Sequence, residues 1–415
     1  MRRKLVRTFL CVALIGLPTS GCAGVDTSGV TPDAVVPLDQ ASLADAAANR
    51  VVGIGEATHG NKEFVEARTL IIQKLVRDHG FRTVALEADF GGAAAANDYV
   101  MKGRGSALDA VRALGFDIYR TREMSNLIQW IHDHNAVVPD ADKVCLYGFD
   151  MQRYDLNKER LLRYLALVDP DRVRPVEESL AALTDATRSE QDQEKVAAAA
   201  TAAERLVAQM KGNREKYVRS STEESFVLAV HHAETIERGA QLQISGNDYA
   251  RKRDFWMAEN VRWIADAQGR KKIILGGHNG HIDKSGAAFA YESMGRLLAK
   301  AYGEDYFTIG TDFGTSTFVS KDDDSGERKQ FTVSHDPPLA KLFGDEPLGY
   351  VNIAQASLKP GNRRLLTSEV PMGNVGDGFR SIYSHLSWTY TVKMVPAKAY
   401  DALVYAPRAS PVTPL

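Results

Sequence analysis

Apolar positions recur along the chain in two alternating patterns. Short, almost unbroken runs lie at Val51 to Gly55, Thr83 to Glu87, Lys143 to Gly148, Lys271 to Gly276 and Tyr306 to Gly310, each followed by glycine or a polar loop. Around the first three of them, Glu63 to His79, Ala93 to Met101 and Arg122 to Val138 repeat apolar residues at helical spacing. Runs of the first kind read as strands buried on both faces, and their alternation with helices predicts an α/β fold. Its mainly parallel central sheet is flanked by helices.

The interval between the third and fourth runs breaks this rhythm. Asp155 to Val168 is helical by period, and Val173 to Gln243 is rich in Ala, Glu and Gln with apolar residues at Leu206/Met210 and Phe226/Val230. Asn247 to Gln268 continues in the same way, and Gly212-Asn213 marks a break between two long helices. No heptad persists, so this is a large α-helical cap insertion, about residues 155–268, and not a coiled coil. After the fifth run, turn signals at Pro337-Pro338, Gly361-Asn362 and Gly373 to Gly378 separate two short strand candidates, Phe331-Thr332-Val333 and Ala402 to Tyr405. These are expected as edge strands of one domain spanning 41–405.

Composition narrows the class. The 415 residues are 44% hydrophobic and 25% charged, which suits a globular body and excludes collagen-like, disordered and multi-span membrane chains. A formal charge of −2 provides no bulk attraction for nucleic acid, so no nucleic-acid partner is expected. The three cysteines exclude a disulfide scaffold and a Cys-rich zinc site.

Two of those cysteines sit in a leader. Arg2, Arg3, Lys4 and Arg7 precede an apolar run from Phe9 to Leu17, and Thr19-Ser20-Gly21-Cys22 follows. This is the layout of a signal peptide, residues 1–22, and is too short for a membrane span. The small residues before Cys22 resemble a bacterial lipobox, in which the cysteine is lipidated and becomes the mature N-terminus. The expectation is an exported cell-envelope lipoprotein on the periplasmic or extracellular face, anchored to the membrane through Cys22, with residues 23–40 as a flexible tether. Ordinary cleavage to a soluble secreted protein is the alternative. Cys145, in the run Val144 to Tyr147, reads as a buried core residue with no partner for a disulfide.

The chemistry is expected where the strands end. A G-x-S-x-G elbow, a Walker motif and HExxH are all absent, and Gly53-x-Gly55 has Thr58 where a dinucleotide fingerprint needs its third glycine. No cofactor is expected. The loops after the five strands carry Glu56 and His59, then Glu87 and Asp89, Asp150, His278 and His281, and Asp312. In a parallel sheet they converge on one edge, where ligands bind. Asp150 and Asp312, taken singly, read as caps or turn residues. His79, His132, His134, His231, His232, His335 and His385 read as ordinary surface or core histidines. His278 and His281, with two residues between them in a glycine-rich loop, read as functional.

The segments GEATHG, ALEADFGGAAAANDYV, YGFDMQ, MAENVRWI, GGHNGHI and YFTIGTDF occur in this order, and together they resemble the erythromycin esterase family across residues 45 to 405. The resemblance implies metal-independent hydrolysis of a macrolactone ester. In it His59 matches the general base that activates water, Glu56 and Glu87 match active-site carboxylates, Arg68 matches an active-site arginine, and His278 and His281 match a second histidine pair. The residues suit that role. Imidazole both takes and returns a proton near neutrality, and a carboxylate, Glu56 or Glu87, fixes its tautomer. His278, His281 or Arg68 would face the developing oxyanion. Arg68 has a plainer reading as a helix partner of Glu63 or Glu66. Tyr249, Phe255, Trp256 and Trp263 would line an apolar cleft under the cap, or simply pack in the core.

Two further readings use the same residues. Glu56, His59, Glu87, His278 and His281 form a ligand set for Zn²⁺ or Mn²⁺ in a metal-dependent hydrolase. A non-catalytic lipoprotein would instead bind a hydrophobic ligand beneath the cap.

Overall fold

A computed structural model describes residues 25–269 and 271–415; the leader and Cys22 lie outside the described residues. The five predicted strands form as β1 (Val51–Glu56), β2 (Thr83–Asp89), β3 (Cys145–Asp150), β4 (Ile273–His278) and β5 (Tyr306–Asp322). Two more, β6 (Gly349–Asn352) and β7 (Ala402–Ala409), extend the sheet. The spatial order is β6-β7-β5-β1-β4-β2-β3. β7, β5, β1, β4, β2 and β3 are mutually parallel, and β6 runs antiparallel to β7. The central strands are buried on both faces: Val52, Ile54, Val84, Leu86 and Ile274 pack into one core, and Val51, Ala85, Ile273 and Leu275 into another on the opposite side. Alternation along each strand feeds both cores, which is why these runs are continuously apolar.

The flanking helices carry the local signals that start and stop them. Lys62–His79 ends at Gly80 with φ 72°, and Phe90–Lys102 opens with the Asp89 carboxylate accepting from Gly92 N and closes at Gly103 with φ 64°. Thr121 caps Arg122–Val137. A short helix, Ala107–Ala113, capped by Ser106, was not legible in the apolar pattern. The insertion is helical throughout: Asp155–Val168, Val173–Ser179, Gln193–Gly212, Arg214–Arg219, Glu223–Gln243 and Tyr249–Ala267. Leu161, Leu165, Val196, Ala203, Met210 and Ile236 give it a core of its own. The last helix packs on the sheet instead, through Met257, Val261 and Ile264.

Four expectations need correction. β7 is an interior strand between β5 and β6, not an edge, because Ala402 to Ala406 are buried on both faces. The chain remains part of the body past 405: Lys62 N donates to Ser410 O, and Val412 N donates to Gly60 O. Within the expected tether, Val36 pairs with Tyr350, Leu38 is buried, and Thr31 exchanges two hydrogen bonds with Asn362 at 2.9 and 3.0 Å. Those residues are held by backbone pairing, so they form no flexible linker. Cys145 is only half-buried, since β3 is the outermost parallel strand.

β5 is also far longer than predicted. It pairs with β1 through Ile309, with β7 through Ser316, and then forms an antiparallel hairpin with Arg328–Ser334. Its far end lies against the loop after β1. There a Cβ on Gly60 would stand 2.1 Å from Val319 O, so the GEATHG motif needs glycine at that position for close approach. Among the described residues no helix is long and apolar enough to cross a membrane.

Candidate active site

Because β1, β4 and β2 are parallel neighbours, their C-terminal ends deliver chemistry to one edge. Glu56 is the register partner of His278, and the His278 amide donates to Glu87 Oε2 at 2.8 Å. The loops after these strands border a cleft of about 440 Å³ lined by His59, Glu87, Arg253, His278, His281 and Tyr249, among others. Its size is that of a small-molecule pocket.

The first unit of the site is a relay. His59 Nδ1 lies 2.8 Å from Glu56 Oε1, and Arg68 Nη1 donates to Glu56 Oε2 at 3.0 Å. Glu56 and Arg68 are 3% and 2% exposed, so this carboxylate is a buried bridge between two cation-forming groups. Burial opposes the Glu56 charge, but Arg68 and then His59 hold its carboxyl below the usual range. Burial also opposes a charged His59. The hydrogen bond and charge of Glu56 outweigh it and raise the imidazole above its ordinary value. Arg68 therefore acts through Glu56. It is paired neither with Glu63, which accepts from Ser410 N, nor with Glu66, which pairs with Lys62.

The second unit was only partly foreseen. His281 Nδ1 lies 2.8 Å from Asp254 Oδ1, and Asp254 also accepts from Tyr291 OH at 3.0 Å and Met294 N at 2.8 Å. Burial works against an imidazolium here too, yet Asp254 and Glu87 raise His281. Beside it, Arg253 Nη2 donates to Glu87 Oε1 at 2.7 Å and to Asp150 Oδ2 at 2.6 Å, while Nη1 stands 3.1 Å from His281 Nε2. Against the cost of burial, the charges of His281, Arg253 and His59 pull the Glu87 carboxyl well below its usual range. Arg253 and Asp254 lie in the first turns of Tyr249–Ala267, just before MAENVRWI, inside the segment with the least distinctive pattern. Their helical spacing looked like any polar face. Asp150, read as a turn residue, is instead a counter-charge for Arg253.

His278 sits between the two units, its ring centroid 5.0 Å from His59 and 6.3 Å from His281. Its Nε2 donates to Val375 O at 3.1 Å and its Nδ1 accepts from Gly280 N at 3.3 Å. Both nitrogens are committed. Burial, followed by the nearby His59 and His281 charges, lowers its pKa to about 3, so the ring is neutral. It is thus an uncharged spacer with no free donor for an oxyanion, and buried Arg68, turned to Glu56, does not line the cleft. Of the aromatic set on the 249–267 helix, only Tyr249 lines the cleft, its hydroxyl donating to Gln152 at 2.6 Å. Trp256 packs under Arg238, Trp263 stacks on His231 at 3.7 Å, and Phe255 is exposed.

Every oxygen of Glu56 and Glu87 already faces an arginine, a histidine or a backbone amide, and among the described residues no three His, Cys, Asp or Glu side chains converge on a metal-sized position.

A family model described as erythromycin esterase matches residues 76–409. The chain belongs to the erythromycin esterase family. The family supports ester hydrolysis, and the match contains Glu87, His278 and His281 but begins after Glu56, His59 and Arg68. Among relatives of this family member, an Escherichia coli erythromycin esterase type II is 24% identical over 291 residues, 63% of this chain and 68% of that protein. A Bacillus subtilis protein named as the putative hydrolase YbfO is 21% identical over 397 residues, 87% and 84% of the two chains. Solved structures share the fold. A Bacillus cereus protein superposes with a TM-score of 0.79 at 24% identity, covering 94% of this chain and 95% of that one. The erythromycin esterase EreC, a histidine-to-asparagine variant in its open conformation, gives 0.67 at 19% identity, covering 88% and 92%.

Proposed function

We propose that this esterase-family protein hydrolyses a carboxylic ester with water activated on His59 and no covalent intermediate, with the macrolactone of 14-membered macrolides as its candidate substrate. The observation that carries the reading is the pair of histidine–carboxylate units facing one cleft. His59 commits Nδ1–H to Glu56, which leaves Nε2 as the proton acceptor. Neutral His59 takes a proton from water as the oxygen attacks the acyl carbon, and Glu56 stabilises the imidazolium that forms. Arg253, which lines the cleft with its Nε and Nη2 donating to Asp150 and Glu87, brings positive charge near the tetrahedral oxyanion without a direct hydrogen bond. His281, its pKa raised by Asp254 and Glu87, gives a proton to the departing alkoxide as the C–O bond breaks. Proton return from His59 to solvent and uptake by His281 restore the site.

The test is a panel of esters, including a 14-membered macrolide, followed by mass spectrometry for addition of one water. His59→Ala is expected to lower turnover by ~10²-fold or more with the fold retained. Near-normal rates in that variant would overturn the mechanism. Activity abolished by chelation and restored by a defined metal would favour the metal-dependent reading. Binding of macrolides with no turnover of any ester would favour a binding lipoprotein. We also propose export and lipid anchoring at Cys22, on the layout of the leader. Metabolic labelling with a fatty acid, lost in Cys22→Ser, supports it, and an unlabelled wild type overturns it.

A further inference from the structure

The segment Gly373 to Asp377 borders the cleft and is tied at several points. Val375 N donates to Ala57 O at 2.8 Å, within the loop that carries His59. Val375 O accepts from His278 Nε2 at 3.1 Å. Asn374, Gly376 and Asp377 line the cleft. The upstream tie is Asp312, whose Oδ1 accepts from Gly373 N at 2.8 Å and from Phe313 N at 2.9 Å. Gly373 lies so flat on the Phe313 ring that a Cβ would stand 2.3 Å from it, so the backbone at this tie has no room to shift inward.

Asp312 is an expensive way to hold two amides. It is 1% exposed, its Oδ2 has no hydrogen-bond partner, and the nearest basic group, His335 Nε2, stands 3.6 Å from Oδ1 with both ring nitrogens unpartnered. A buried carboxylate left half-satisfied persists where its remaining hydrogen bonds matter to function. One of the two bonds it makes, from Gly373 N, leads through two residues of backbone to the carbonyl that accepts the His278 Nε2–H and, with the Gly280 amide on Nδ1, fixes the His278 tautomer.

We propose that Asp312 is a positioning residue of the hydrolytic site: by holding Gly373 it sets the Val375 carbonyl, and so keeps His278 a neutral Nε2–H tautomer between His59 and His281. The inference rests on the esterase reading for its kinetic consequence only. With the carbonyl displaced, His278 loses its acceptor, competes for protons with both working histidines, and lets the cleft wall drift.

The experiment compares Asp312→Ala with Asp312→Asn, which keeps an oxygen acceptor for the Gly373 amide, in the full chain. Asp312→Ala is expected to lose at least ~10-fold in kcat with a smaller change in KM, and to gain a further ionisation on the acid side of its pH–rate profile. Asp312→Asn is expected to recover most of the rate. Histidine ¹⁵N spectra without substrate are expected to show the His278 Nε2–H in wild type and Asp312→Asn and its loss in Asp312→Ala. These spectra stand even where no ester is turned over, so failure of the esterase reading is told apart from failure of this one. If Asp312→Ala does not fold, hydrogen exchange at the wild-type Gly373 amide takes its place, with strong protection expected. A folded Asp312→Ala with unchanged His278 signals, an Asp312→Asn as slow as the alanine variant, or a rapidly exchanging Gly373 amide would each overturn the proposal.

Discussion

Glu56→Gln tests the relay most directly, because one atom change removes the charge from a bridge with a cation-forming group at each end. His59 Nδ1 at 2.8 Å and Arg68 Nη1 at 3.0 Å both lose an anionic acceptor. For the rate, a charge-assisted hydrogen bond is worth ~1.5–3 kcal/mol, or ~10–100-fold. The amide also offers N–H₂ to the ring and so admits the wrong tautomer, a fault that costs up to ~10⁴-fold in triad enzymes. The expected fall in kcat is therefore ~10²–10⁴-fold with little change in KM. For stability, Arg68 is left 2% exposed and without its counter-charge, an arrangement that costs ~3–5 kcal/mol. The double variant Glu56→Gln/Arg68→Met removes the stranded cation and is expected to regain most of the lost thermal stability while the rate stays low. Steady-state ester hydrolysis and thermal scans of wild type and both variants read the two effects separately. A single variant with near-normal kcat, or a double variant that recovers rate along with stability, would refute the relay.

Three further outcomes follow from the same geometry. The His59 pKa is raised, and only the neutral ring accepts a proton, so kcat/KM should fall on the acid side with an apparent pKa above 6.5, read from the pH–rate profile; Glu56→Gln should move that limb to lower pH. Asp254→Asn removes the largest charge raising the His281 pKa, and the alkaline limb of kcat should shift to lower pH, with esters of poor leaving groups slowed more than activated aryl esters. Asp89 is buried with its pKa pushed up to about 8, chiefly by desolvation, so the folded state retains a proton there that the unfolded chain releases near 4. Its contribution is complete at low pH and is lost as pH rises through about 8, so Asp89→Asn, which keeps the helix cap, should gain thermal stability over wild type progressively from pH 4 to 8 and hold a constant gap above.

Periodicity alone identified the five parallel strands and the helical insertion, because a strand buried on both faces must be continuously apolar and a helix on a core must repeat near 3.6. It also placed Glu56, His59, Glu87, His278 and His281 at strand ends, where a parallel sheet leaves no choice but convergence. What chain order could not express was which groups meet across long separations. Arg68 reaches Glu56 rather than its helix neighbours, Arg253 and Asp254 come from an insertion whose polar face looks ordinary, and Val375 arrives from the far C-terminal region to occupy His278. Each outcome is decided by burial. Once the cleft closes over these side chains, a lone charge costs too much to remain, so each charged group takes the counter-charge that packing brings within 3 Å or so. Sequence therefore determined which residues gather at the cleft, and tertiary structure decided the surroundings of each: His59 and His281 each set against carboxylates that raise their pKa, and His278, of the same residue type and three positions from His281, held neutral between them.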